Sequence, residues 1–190
     1  MLNIGEGAEK EALKLIDSMG VNNLIIEGKQ YNKEELKELR EESLGLSMSD
    51  VDAMLSTLPF ITGYSAEKSI KTHALYSEYG KAESETVGVN ERYFELANLS
   101  VQSGRLISKE DNTKVSQVAV LGADAALSLF PNADAIGKLI KVNHVWLQVV
   151  GVLTTPALNK DEFQGVKLGG DRNRIFVPLS TSLKSFRQTD

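Results

Sequence analysis

Residues 139–153 read LIKVNHVWLQVVGVL, and this stretch decides how the rest of the chain is arranged. Leu139–Val142 and Val145–Leu153 are rich in β-branched residues, and Asn143–His144 separates them. That is the pattern of two antiparallel strands joined by a two-residue turn. Asn143 tolerates the positive φ such a turn requires, although His144 stands where Gly is preferred. Along the second strand Val145, Leu147 and Val149 face one way and Trp146, Gln148 and Val150 the other. Both faces carry apolar groups, so the strand is expected in the core; a face offered to a partner is the competing expectation.

Upstream of the hairpin, Val115–Leu121 reads as a buried strand. Gly122 leads from it into an Ala- and Leu-rich helix ending near Phe130–Pro131. Ser108 and Asp111 have the spacing of a helix cap. Asn90 is placed to cap a helical turn over Glu91–Leu96 that presents Tyr93, Phe94 and Leu96 inward. Before it, Phe60–Lys71, Thr72–Tyr79 and Glu83–Val89 read as a polar, antiparallel ladder with one wet face, turned at Gly80–Lys81. Ser49 with Asp52 is expected to open a short helix through Leu58, which Pro59 ends. Ile4, Ala8, Ala12, Leu15, Ile16 and Met19 recur at helical spacing and predict an amphipathic helix over residues 5–19, stopped by Gly20. Asn22–Glu27 reads as a short strand, and Lys33–Glu42 as a surface helix. Downstream, Thr154–Arg172 is polar and Gly-containing and is expected to be a mobile loop. Ile175–Val177 resumes as a strand, and Pro178 closes it before a final short helix. Strands and helices are interspersed without regular βαβ alternation, so the class is α+β.

The 190 residues are 42% hydrophobic and 25% charged, enough for a packed core in one or two domains. The absence of Cys excludes disulfides, thiolate metal sites and thiol nucleophiles. A net charge of −5 argues against nucleic acid as a partner. The acidity is uneven: residues 1–60 hold 12 Asp/Glu and 6 Lys/Arg, the remainder 14 and 15. Solvated helical faces account for that surplus. No apolar run approaches the roughly 18 residues that span a bilayer, and the N-terminus lacks the regions of a signal peptide.

The search for catalytic equipment returns little. Ile136-Gly-Lys-Leu139 imitates the end of a phosphate-binding loop, but Asn132 stands where its first Gly belongs and Leu139 where Ser or Thr would hold magnesium. Val118–Gly122 imitates a dinucleotide turn with one glycine instead of three. His73 and His144 belong to no paired-His motif, and no Ser lies in a G-x-S-x-G elbow. Glu34, Glu35, Glu38, Glu41 and Glu42 share a predicted helix with Lys33, Lys37 and Arg40, which marks an exposed face rather than an acid/base pair. Asp50 and Asp52 are helix-start charges. Asn98-Leu-Ser100 fits a glycosylation triplet and carries no weight. No catalytic, cofactor-binding or metal-binding residue is assigned, and no cofactor is expected.

Val87-Gly-Val-Asn-Glu-Arg-Tyr-Phe94, then Leu99, Gly104–Arg105 and Val118-Ala-Val-Leu-Gly122, resemble the extracytoplasmic core domain of MacB-type ABC transporter permeases. The resemblance continues through Leu129–Phe130, Ala135-Ile-Gly-Lys-Leu-Ile140, Val142–Asn143 and Val149-Val-Gly-Val152 to Arg174-Ile-Phe-Val-Pro-Leu-Ser180. Ile4-Gly-Glu-Gly-Ala8, Gly20-Val-Asn-Asn-Leu24 and Leu46–Leu58 fit the same pattern, which is weakest over Gly28–Gly45. Gly104, Gly122, Gly137 and Gly151 would sit at turns or close backbone approaches.

This resemblance implies a porter-like lobe, residues 1–103 plus 171–190, and an inserted Sabre-like lobe, 104–170. It implies a strand–helix–strand stretch beyond Ser180 and membrane helices on both sides, so the chain is expected to be an excised, truncated piece. The implied role is non-catalytic: coupling ATP-driven membrane-helix motion to substrate export or hand-over, with helix 5–19 as the lever. Implied partners are a second permease copy, an ATPase acting through the membrane helices, and a periplasmic adaptor with an outer-membrane channel. The implied location is the extracytoplasmic face of the membrane. Asn143–His144 and Thr154–Arg172 are candidate contact loops. Two alternatives differ in what they require. A lipoprotein-releasing permease domain needs a large exposed apolar patch. A small carboxylate hydrolase needs a deep pocket with two raised acids.

Overall fold

The computed structural model describes Ile26 and residues 46–61, 63–154, 162–163, 166–167 and 170–186. The chain divides into two compact units, Met1–Gly63 and Tyr64–Asp190. The helices expected over 5–19 and 33–42 lie outside the described residues, as does the strand expected at 22–27 apart from Ile26.

In the first unit, helix α1 spans Met48–Thr57. Its cap is Ser47, not Ser49: the Ser47 hydroxyl accepts from Asp50 N at 3.4 Å, and Ser47 N donates to Asp50 Oδ2 at 2.8 Å. The Ser-x-x-Asp spacing occurs twice in the sequence 47–52, and the earlier pair takes the helix start.

Among the described residues, the second unit is built on ten strands. They are β1 Glu67–Ile70, β2 Leu75–Ser77, β3 Glu85–Val89, β4 Val101–Gly104, β5 Val118–Leu121, β6 Leu139–Val142, β7 Val145–Leu153, β8 Glu162–Phe163, β9 Val166–Lys167 and β10 Arg174–Pro178. Helices α2 Tyr93–Leu96, α3 Lys109–Lys114, α4 Ala123–Leu129 and α5 Leu179–Ser185 intervene. Eight strands form one mixed sheet in the order β1-β3-β10-β5-β7-β6-β2, with β4 also paired to β7, while β8 and β9 form a separate pair. The β3–β10 and β5–β7 pairings are parallel. This is the mixed α+β architecture expected from the element order.

The hairpin forms as its sequence predicts, with Ile140 opposite Leu147 and Val142 opposite Val145. The ladder expected over residues 60–89 does not. β1 pairs with β3, but β2 leaves both and pairs with β6, Leu75 opposite Val142. A three-residue strand with one buried side chain gains most where Leu75 can join the apolar face of the hairpin.

Each face of the sheet carries its own core. Leu75, Ile140, Leu147, Val149, Ile175 and Val177 pack with Ala125 and Leu129 of α4 and with Phe186 just beyond α5. On the opposite face, Val87, Val89, Val120 and Phe176 pack with Phe94 of α2 and with Ile107. β10 shows the alternation directly, with Ile175 and Val177 in one core and Phe176 in the other. Each such large side chain contributes about 1.5–3 kcal/mol by leaving water.

Two local expectations are corrected. Asn90 does not cap α2 with its side chain. Its Oδ1 accepts from Ser65 Oγ at 3.4 Å and Ala66 N at 3.3 Å, and its Nδ2 donates to Tyr64 O at 3.3 Å. The same amide that can cap a helix here stitches the approach to β1. Leu96 is exposed, because a four-residue helix has only one face to bury and Phe94 takes it.

Gly104 lies at φ +77°, and a Cβ there would strike Val150 O of the adjacent strand β7. Gly88 lets α5 approach β3 until Ser182 lies where a Cβ would be.

Candidate functional site

The hairpin turn was a candidate contact loop, and the fold occupies it internally. Asn143 adopts φ 52°. Its Oδ1 accepts from His73 N at 2.8 Å and Ala74 N at 3.2 Å, while its Nδ2 donates to Lys71 O at 3.0 Å. One side chain thus pins the β1–β2 connection to the tip of a hairpin some seventy residues later. His144 is exposed, and its Nε2 lies 3.0 Å from Ser185 O at the end of α5. His73 thus joins the turn through its backbone N–H, and His144 through its ring to α5.

Of the loop expected over 154–172, the described parts are Thr154, the β8–β9 pair and the 3-10 turn Gly170–Asn173. The turn is tied down at each residue after Gly170. Arg172 Nη2 meets Asp124 Oδ1 of α4 at 2.9 Å, and Asn173 Oδ1 accepts from Ser84 Oγ at 2.8 Å. Asp171 Oδ1 accepts from the Tyr93 hydroxyl at 3.1 Å and lies 3.3 Å from Arg174 Nη1.

Arg174 is the hub of a half-buried charge cluster. Its Nε reaches Glu85 Oε2 at 2.8 Å and its Nη1 lies 3.7 Å from Glu67 Oε1, so one guanidinium joins β1, β3, β10 and the 3-10 turn. Burial would lower its pKa, but Glu67 and Glu85 outweigh it and hold the cation charged. Burial raises the Glu67 carboxyl, with Arg174 pulling the other way. Tyr93 is pushed well above the ordinary phenol value, first by burial and then by the charges of Asp171 and Glu67. A tyrosine held neutral and an arginine held charged suit a clasp between elements, not proton transfer.

Residues singled out for other chemistry are used structurally. Lys138, in the imitation phosphate loop, donates to the Tyr79 hydroxyl at 3.1 Å. Gly122 starts α4, and its N donates to Arg174 O at 2.8 Å. Glu34–Glu42 lie outside the described residues. Among the described residues, no three His, Asp or Glu side chains gather closely enough to hold a metal ion, and no helix is long and apolar enough to cross a membrane.

On the outer face of the hairpin, Trp146 is exposed beside Lys141, whose Nζ stands 5.4 Å from its ring centre and 5.8 Å from that of Tyr76. The β7 strand is therefore a core strand on one face, and its first half is exposed on the other.

All 190 residues match the MacB-like periplasmic core domain. The chain belongs to that family. It is 31% identical over 182 residues to the macrolide export ATP-binding/permease protein MacB of Azoarcus sp. strain BH72, covering 95% of this chain and 26% of that protein. The pyoverdine export ATP-binding/permease protein PvdT of Pseudomonas aeruginosa is 28% identical, covering 96% of this chain and 25% of that protein. This chain thus spans about a quarter of the length of the curated relatives it matches. The fold is that of the periplasmic region of MacB from Actinobacillus actinomycetemcomitans, with TM-score 0.57 and 23% identity over 84% of this chain and 65% of that one. It is also that of the extracellular domain of YknZ from Gram-positive bacteria, with TM-score 0.60 and 19% identity over 80% and 72%.

Within this MacB-like domain, sequence reasoning did not anticipate the Arg174 cluster. Its members come from residues 67, 85, 93, 171 and 174, and no local pattern joins them. The one available signal was an arginine just before the predicted strand Ile175–Val177 and an acid, Glu85, within the predicted strand Glu83–Val89.

Proposed function

We propose that the domain is a non-catalytic extracytoplasmic module of an ABC export permease, which relays ATP-driven motion of membrane helices to substrate export or hand-over. Family membership over the whole chain carries this reading. The continuous sheet supports it physically. Strands β1–β7 and β10 share one hydrogen-bonded layer, so a displacement at one edge is felt at the other. The division into a porter-like lobe, 1–103 plus 171–190, and a Sabre-like lobe, 104–170, enters here as a proposal. Its boundary would cross the sheet at the β10–β5 pairing, where only Ile175–Leu121 and Phe176–Val120 are in register. β2 and β4 would lie on the far side of that boundary, paired with β6 and β7.

The proposed partners are a second permease copy and an ATPase reached through membrane helices, with a periplasmic adaptor and outer-membrane channel in two-membrane bacteria. The relatives named for macrolide and pyoverdine export point to small-molecule cargo.

The chain has no Cys, so Lys114→Cys places one spin label on the exposed end of α3 in each copy. In the full, otherwise Cys-free transporter, the label-to-label distance is expected to change between the nucleotide-free and ATP-bound states. A distance that stays fixed while export proceeds would overturn the mechanical reading.

A further inference from the structure

Among the described residues, α2 and the segment around Ile107 cover the outer face of the sheet over β3, β10 and β5, and none covers it over β2, β6 and the first half of β7. One register row crosses the bare part. Lys81 stands opposite Tyr76 in an isolated bridge, Tyr76 opposite Lys141, and Lys141 opposite Trp146. Leu139, two residues before Lys141, shares that face. Leu139 and Trp146 are each about half exposed, at 53% and 49%. Glu78, in the bend just beyond β2, stands within electrostatic reach of Lys138 at the edge of this face.

Size, residue chemistry and charge select the occupant. Three strands about 4.8 Å apart and four residues long at about 3.4 Å each give a face of roughly 200 Å². One side of a stable protein interface needs about 800 Å², so a protein partner would have to find most of its area elsewhere. Trp and Tyr rings with one polar end, a Leu and two ammonium groups on one flat face are the composition of the water–lipid boundary. Lys81 and Lys141 against Glu78 leave a local positive surplus on a chain whose net charge is −5. Within a Debye length that local surplus, not the distant net charge, meets an anionic headgroup.

We propose that the Lys81–Tyr76–Lys141–Trp146 row is a membrane-surface contact that takes the anionic headgroups of a lipid leaflet. This rests on the reading that the domain stands at the extracytoplasmic face of a membrane.

Trp146 is the sole tryptophan, so its emission reports directly on this face. Titration with vesicles of phosphatidylglycerol and phosphatidylcholine is expected to shift the emission to the blue, while phosphatidylcholine vesicles alone do not. Raising the salt should reverse the shift. Lys141→Ala and Lys81→Ala should each weaken partitioning about fivefold, and Glu78→Gln should strengthen it. Circular dichroism matching the parent confirms that each variant is folded. No shift with the anionic vesicles, or binding indifferent to both lysines, overturns the proposal, as does a shift produced only by an acidic protein. Labelling of Lys114→Cys from outside intact cells tests location separately. An accessible label together with absent vesicle binding would sink the lipid contact and leave the location standing.

Discussion

Arg105 and Asp111 form a two-point ion pair, Nη1 to Oδ2 at 2.6 Å and Nη2 to Oδ1 at 3.1 Å, which ties the end of β4 to α3. The same Oδ2 accepts from Ser108 N and Ser108 Oγ, each at 2.9 Å, so the helix cap and the ion pair share one buried carboxylate. Burial acts to raise its pKa, but Arg105 and Ser108 outweigh it and hold the group at about 2. An acid lowered on folding stabilises above its unfolded pKa of about 4, and that stabilisation fades as pH falls toward 2. Asp111→Ala is therefore expected to cost about 2 kcal/mol at neutral pH. The difference from the parent should shrink steadily below pH 4 in urea unfolding, and a pH-independent difference would exclude the charge as its origin.

Asn143 separates two roles, the positive φ of the turn and the amide that holds the β1–β2 connection. Asn143→Gly keeps the first and loses the second, and is expected to cost about 1–2 kcal/mol. Asn143→Ala loses both and should cost about 1 kcal/mol more. Equal losses in thermal unfolding would show that the positive φ costs alanine nothing, and an unchanged midpoint in Asn143→Gly would show that the side-chain amide contributes nothing.

Gly88→Ala drives a methyl into Ser182 of α5. The expected loss is about 1–3 kcal/mol from overpacking. Ser182→Gly should recover part of it, so the double mutant would be more stable than the sum of the single changes predicts. Strict additivity would mean that the helix shifts freely.

Arg174→Met leaves Glu67, Glu85 and Asp171 facing one another. Water screens the half-exposed carboxylates in part, so the expected loss is about 1–2 kcal/mol at neutral pH, between the limits for surface and buried pairs. Because the repulsion needs ionised acids, the loss should diminish on acidification, first through Glu67, whose pKa is raised by burial. A loss that grows on acidification would refute this origin.

Val115 ends α3 in the left-handed region at φ 55°, ψ 46°, with its N–H donating to Asp111 O. A β-branched side chain is poorly suited to that conformation. Val115→Asn is expected to gain about 1 kcal/mol, read as a higher unfolding midpoint; an unchanged midpoint would mean that the lost packing of the half-buried valine offsets the relief.

Local patterns were legible wherever neighbours in sequence are neighbours in space. The Ser108–Asp111 cap, the Gly122 entry to α4 and both strands of the hairpin follow from spacings of two to four residues. The α1 cap was misplaced by two positions because the same spacing occurs twice, and geometry alone chose between them. Of the contact loops, Asn143 was correctly placed at the turn, but its three long-range hydrogen bonds could not be read from its neighbours.

What the sequence by itself determined is the hairpin, the buried strand before Gly122, the helix after it and the strand closed by Pro178, together with the α+β class and, through ordered motifs along nearly the whole chain, the family. Tertiary structure alone decided that β2 pairs with β6 instead of β3, that Arg174 gathers three carboxylates, and that Trp146 faces outward while Val145 and Leu147 face in. The physical reason is that alternation states which residues share a face but not which strand lies beside them. Several pairings satisfy the same pattern, and burial of both sheet faces against particular helices selects one.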